Sequence, residues 1–384
     1  MSTVDAPRAI TVDASGQWMP ASTGRQASPD GALRVPGSGK RRLTVLRRAV
    51  IVIWAIMVVY RTWTTGFAFN WQLLLVYLCT GLIAASIGRR RVLRVILDWL
   101  PFALVLLAYD LSRGAATLLG SSTLWQLQPS VDRWLFFGVE PTVWLQEHLK
   151  LGHPPWWEVI LSATYMSHFI VPYVVAGVLW LHNRDDWKAF VRRFVALSFV
   201  AVTIYALLPA APPWAAARCT ADHVAAGPSN PACMYHRAAG RPDGGLLGPM
   251  STSRAGAKRV VERISTRGWG TLHLDSAQSL IDEGQAAVNE VAAIPSHHAA
   301  LTALTSVFLW RRVRRRWRLL LAAYPLIMAF SLVYSAEHYV FDILLGWTAA
   351  AIVFVVVGQL ESYLPHLAAE GRRSPAAKQV RLKV

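Results

Sequence analysis

Eight apolar stretches divide the sequence, near residues 45–62, 71–87, 92–111, 157–181, 194–209, 295–310, 319–337 and 339–358. Every second connector between them is basic: "RRRVLR" (89–94), "NRDDWKAFVRR" (183–193) and "RRVRRRWR" (311–318). "KRRLTVLRR" (40–48) precedes the first stretch, and a basic tail follows the last. A helix needs roughly 20 apolar residues to cross the hydrocarbon of a bilayer, and several of these stretches are at or just under that length. Cytoplasmic loops of membrane proteins carry the Lys/Arg excess, so the alternation assigns all the basic connectors to one side without conflict. The pattern predicts an all-α polytopic membrane bundle of about eight transmembrane helices, with both termini cytoplasmic and the protein in the plasma membrane.

Composition agrees: 54% of residues are hydrophobic and 16% charged, against about 25% charged in soluble domains. The net charge of +17 taken alone would suit nucleic acid, but the cations punctuate apolar runs and no recognition motif accompanies them. No nucleic-acid partner is expected. Residues 1–43, rich in Ser, Gly, Pro, Ala and Arg, read as a disordered cytoplasmic tail and lack the apolar run of a signal peptide. Residues 44–362 then form the transmembrane domain and 363–384 a basic cytoplasmic tail.

The opposite connectors fall outside the cell. "DRWLFFGVEPTVWLQEHL", within 112–155, reads as a helix lying in the membrane interface. The long loop 210–294 holds Cys219 and Cys233. An oxidising exterior favours a disulfide between them, with two separate thiols as the alternative.

Ionisable residues sit where apolar segments begin on that outer side. "IPSHHAA" places Ser296 as an N-cap, with His297 and His298 in the first turn. "SAEHYVFD" opens the last helix with His338 and Asp342, four apart and so on one face. A carboxylate on one imidazole nitrogen fixes the tautomer and raises the basicity of the other, which makes a nucleophile or a base. Helix N-termini supply unpaired N–H groups suited to phosphate. Ionisable residues inside a membrane are functional candidates by default. Interfacial polar residues, or a His/His/Asp metal site, are the competing readings; no further ligand stands at a convincing spacing, so no metal is expected.

These two motifs resemble the Pro-Ser-x-His and His-x-x-x-Asp motifs of the type-2 phosphatidic acid phosphatase superfamily. "NEVAAIPSHHAA" with "YSAEHYVFDILLGW" is most similar to its inositolphosphotransferase branch, which includes inositol phosphorylceramide synthase. The resemblance covers about 285–350 and the helix layout. It implies that His338 attacks phosphorus, Asp342 orients it, His298 acts as general acid and Ser296 donates to the phosphoryl oxygens. It implies no cofactor.

The chain departs from that pattern in its cations. The superfamily has an arginine six residues before the nucleophile; Leu332 stands there, after Ser331. Arg113, three residues beyond Asp110 near the end of the third stretch, is the first candidate substitute, with a structural ion pair as the alternative. Arg218, Arg254, Lys258 and Arg259 are weaker candidates. His297 and Glu337 flank the catalytic positions and would read substrate hydroxyls. Tyr165 and His168, read as well inside the fourth helix, either satisfy a core hydrogen bond or line a headgroup pocket.

Three functions follow. The first is a phosphotransferase on a lipid-linked phosphate or phosphodiester, passing it to a polyol or glycan acceptor, with a lipid or polyprenyl phosphate phosphatase as its hydrolytic alternative. Amphipathic "AKRVVERISTRGW", in the long loop with Trp269, would cover the pocket and exclude water. The second is a transporter or flippase, for which the sequence lacks two related halves with broken helices. The third is a membrane scaffold in which the four residues are incidental.

Overall fold

The structure is a computed structural model that describes residues 10–12, 18–20, 38–65, 71–88, 92–119, 121–227, 229, 231–234, 241–272 and 291–373. The side chains of 10–12, 18–20, 38–40, 62, 63, 65, 71–75, 92, 106, 109–118 and 364–373 also lie outside the description. Most of the expected N-terminal tail, the end of the C-terminal one and the side chain of Arg113 therefore fall outside the described residues. The chain divides into two units, Met1–Val45 and Leu46–Val384. In the first, Ile10–Val12 pairs antiparallel with Trp18–Pro20.

Every apolar stretch is helical. α1 (Ser38–Thr65), α2 (Trp71–Ser86) and α3 (Val92–Leu118) cover the first three. α6 (Trp156–Ser167) and α7 (Val171–His182) share the fourth, and α8 (Arg184–Leu207) takes the fifth. α11 (His297–Trp310), α12 (Arg318–Tyr334) and α13 (Val340–Arg373) complete the series. Among the described residues four helices are long and apolar enough to cross a membrane, and five if α6 and α7 form one broken span. The protein is an all-α membrane helix bundle.

The fourth stretch is bent by 54° between α6 and α7. Pro172 is the reason: it lacks an N–H, and its ring excludes the carbonyl four residues back, at His168. His168 therefore stands at the break and not well inside a helix. The expected single interface helix is likewise two, α4 (Leu127–Leu135) and α5 (Pro141–Leu149). Phe137 and Gly138 take positive φ between them, and Pro141 opens the second.

The main core joins Trp99 and Phe102 of α3, Tyr173 and Trp180 of α7, Phe190 and Phe194 of α8, and Leu301 and Phe308 of α11. At the basic ends of these helices ion pairs replace apolar contact: Arg184 with Asp98, Arg312 with Asp186, and Arg193 with Glu361. The described parts of the long loop pack at the other end. They carry the short helices α9 (Pro213–Ala216) and α10 (Ala221–Ala226). Cys219 and Cys233 are bonded there, with Cα atoms 5.5 Å apart. Leu124 bonds through its amide to the Pro209 carbonyl and through its carbonyl to Ala211 N, while Ala210 bonds Val291 and Ala293 on the other side, so that three segments are tied together.

Candidate active site

The site forms where α11 and α13 begin. Ser296 caps α11 through its Oγ, which accepts from Ala299 N at 3.3 Å. The Ser296 N–H donates to the Asp342 carbonyl at 2.9 Å. Behind that contact the helices approach so closely that a Cβ on Gly346 would lie 2.4 Å from the Ser296 carbonyl oxygen. The two motifs are thus pinned to each other, with glycine required at the crossing.

His338 precedes α13 instead of opening it. Ala336 takes φ +62°, and the amides of Glu337 and His338 turn back onto the Leu332 carbonyl, closing the end of α12. A non-glycine residue in the left-handed region is uncommon and marks a turn held by its surroundings. Here Trp214 N donates to the Ala336 carbonyl at 3.0 Å. From α4, the Asp132 carboxylate accepts from Val340 N and Phe341 N, each at 2.9 Å, and so caps α13 from 208 residues away. Burial pushes the Asp132 carboxyl up to about 6, with those two amides pulling it down. Its neighbour Glu140, which caps α5 through Val143 N, is pushed by burial up to about 7.

Within this frame His338 Nδ1 faces Asp342 Oδ2 at 3.6 Å, an ion-pair distance just beyond hydrogen-bonding range. Asp342 is wholly buried, and its Oδ2 also accepts from Tyr339 N at 3.0 Å. With Nδ1 turned to the carboxylate, Nε2 is the nitrogen left for a substrate. The His298 ring lies 5.5 Å from that of His338. Catalytic contacts that are long in a ligand-free enzyme tighten when substrate is bound.

His298 is packed on its other side by Tyr165, stacked at 5.0 Å, and by His168 at 4.1 Å. His168 is buried, and its Nδ1 finds no hydrogen-bond partner among the described residues; the same holds for His298 Nε2. His297 turns toward α8, where its Nε2 meets Ser198 Oγ at 3.1 Å. Ser296, His298, His338, Asp342, Tyr165 and His168 therefore come together, while His297 stands behind them. Arg113 lies in α3. Among the described residues no three His, Cys, Asp or Glu side chains are grouped to hold a metal ion.

Leu332, in the position where the resemblance places an arginine, is wholly buried with Tyr165, Ala299, Met328, Val333 and Ile343. A guanidinium arrives instead from the long loop. Arg263 donates from Nε and Nη2 to Glu337 at 2.8 and 2.9 Å, and Ser265 Oγ donates to the same carboxylate at 2.5 Å. The Arg263 guanidinium lies 5.1 Å from the centre of the Trp214 ring, and that of Arg218 4.9 Å from the same ring. Arg254, Lys258 and Arg259 are exposed.

The segment 260–272 that delivers Arg263 is a strap, irregular to residue 266 and then a 3-10 turn at Arg267–Leu272. Its backbone polar groups are taken by the bundle, which is why it forms no α-helix. Glu262 exchanges backbone bonds with the Gln146 side chain at 2.7 and 3.0 Å, and Ile264 N donates to the Ser335 carbonyl. Lys150 reaches Glu262 and the Val260 carbonyl. Arg267 forks onto buried Glu158 of α6, which also accepts from Tyr334 OH at 2.6 Å. At Gly268 a Cβ would meet the Glu158 carbonyl at 2.4 Å.

Sequence reasoning missed Asp132 and Arg263. Both act across long separations, and neither lies in a local pattern that distinguishes it from other loop charges.

A family model described as the PAP2 superfamily matches residues 129–356, more than half of the chain. No curated protein matches, and no solved structure does.

Proposed function

The chain belongs to the PAP2 superfamily, a membrane enzyme of the phosphatase and phosphotransferase type, and from that premise we propose a phosphotransferase. It takes a lipid-linked phosphate or phosphodiester, in the manner of inositol-phosphate transfer, at the outer face of the membrane. His338 Nε2 attacks phosphorus as the P–O bond to the leaving group breaks, and His298 gives that oxygen a proton. Asp342 stabilises the imidazolium that forms. In the second half an acceptor hydroxyl attacks phosphorus, the N–P bond breaks and His298 takes the proton. Water in place of the alcohol would make the same site a lipid phosphatase.

One observation supports transfer over hydrolysis: the strap is fastened beside the site through Arg263–Glu337, next to His338, and through Arg267–Glu158. A covered pocket keeps water from a reactive phosphohistidine until an alcohol occupies it. The outer-face assignment is supported by the ion-paired basic clusters at the opposite helix ends. The test is partitioning. With a lipid phosphate donor and rising polyol or glycan acceptor, transferred product should increase at the expense of inorganic phosphate. Inorganic phosphate as the only product at every acceptor concentration would replace the transferase with a phosphatase. Turnover of no lipid phosphate at all would return the transporter and scaffold readings.

A further inference from the structure

A phosphoryl group entering this site brings one to two negative charges into surroundings made of buried Tyr165, His168, Ser296, His338 and Asp342. An unpaired charge in such a place is costly. The imidazoles cannot offset it alone, since one must stay unprotonated to attack, and Asp342 adds a negative charge of its own. Leu332 is sealed in an apolar cluster and offers nothing. A cation has to come from outside the two motifs.

The geometry points to Arg263 as the group that holds the substrate's phosphoryl oxygens, with Arg218 as its second. This rests on the phosphoryl-transfer reading above. Arg263 is anchored on Glu337, the residue immediately before His338. Trp214 gathers it with Arg218, each guanidinium lying over the same indole, and the Trp214 backbone is bonded to the turn carrying His338. A planar guanidinium matches phosphate oxygens two at a time, and an aromatic face holds it in plane.

Glu337 is then a holder: it fixes the fork of Arg263 in the empty enzyme and competes with phosphate for it. Lys150 and Arg267, the other cations on and beneath the strap, are fixed to Glu262 and Glu158 and keep the segment in register. The strap thereby becomes a substrate-binding element and more than a cover. Arg263 makes no covalent bond to phosphorus; it supplies only the charge that receives the phosphoryl group.

The two roles open to Arg263 predict opposite behaviour for its partner. Binding of inorganic phosphate to the detergent-solubilised full-length protein at low ionic strength, followed by calorimetry, reads this directly. Arg263→Gln should weaken phosphate at least about tenfold, the loss expected for a charge-assisted bond. Arg263→Lys should fall between, and Arg218→Gln should weaken binding less. Glu337→Gln, which removes the competing carboxylate, should leave affinity unchanged or tighter. If Arg263 only pins the strap, Glu337→Gln and Arg263→Gln weaken phosphate alike, and the inference is overturned. Wild-type affinity in Arg263→Gln overturns it too, while the proposed function stands. Should Arg263→Gln fail to fold, Arg263→Lys against Glu337→Gln makes the same comparison. A wild-type protein that neither binds phosphate nor turns over a lipid phosphate would remove the proposed function, and this inference with it.

Discussion

Arg263 grips Glu337 at two points, Nε to Oε1 at 2.8 Å and Nη2 to Oε2 at 2.9 Å, and His338 is the next residue. The strap and the turn carrying His338 are therefore fastened to each other. The strap's second fastening is the ion pair of Arg267 with Glu158, a carboxylate only 2% exposed. Removing one member of a buried pair strands the other, at a cost of about 3–5 kcal/mol. Arg267→Gln should lower the thermal unfolding midpoint in detergent, and Glu158→Gln added to it should cost less than the sum of the two single changes. An unfolding midpoint equal to wild type in Arg267→Gln would mean that the strap is not fastened there.

His338→Ala and His298→Ala should each reduce turnover of a lipid phosphate a hundredfold or more while leaving expression intact, equivalent to about 3 kcal/mol of barrier. Asp342→Asn should also be damaging, because the amide changes which imidazole nitrogen carries the proton. Activity should persist with chelator present; loss in EDTA with rescue by zinc would favour a metal site instead.

The positions of the helices, the Ser296 cap and the nearness of His298, His338 and Asp342 were legible because each rests on local spacing or on where an apolar run begins. What was not legible had a tertiary cause. Asp132 caps a helix 208 residues away, and Arg263 finds its partner 74 residues on. The break at His168 did have a signal, Pro172 four residues later, inside an otherwise apolar run. The strap's amphipathic composition was visible, but its irregular backbone depends on Gln146 and Ser335, which take its polar groups.

Stability should depend on pH through Glu140. Burial raises its carboxyl from an ordinary 4.5 to about 7, so between those values the folded chain holds a proton that the unfolded chain has released. That contribution is fully present below pH 4.5 and is lost as pH rises through about 7. Glu140→Gln, neutral throughout, should flatten this part of the curve of unfolding midpoint against pH. An undiminished slope in the variant would assign it to other groups.

Topology is open to chemical labelling. Single cysteines placed in a protein with Cys79 replaced, at 183–193 or 311–318, should resist an impermeant thiol reagent in intact cells. A cysteine at exposed Arg254 should react. Labelling of 311–318 from outside would put the site on the cytoplasmic face.

Phosphorus should pass through His338. Purified protein mixed with a phosphorus-labelled lipid phosphate and quenched within milliseconds should carry acid-labile, base-stable label on the peptide containing His338. The label should disappear when acceptor is added and be absent from His338→Ala. Steady turnover with no label on His338 at any quench time, or label that survives in His338→Ala, would contradict the account.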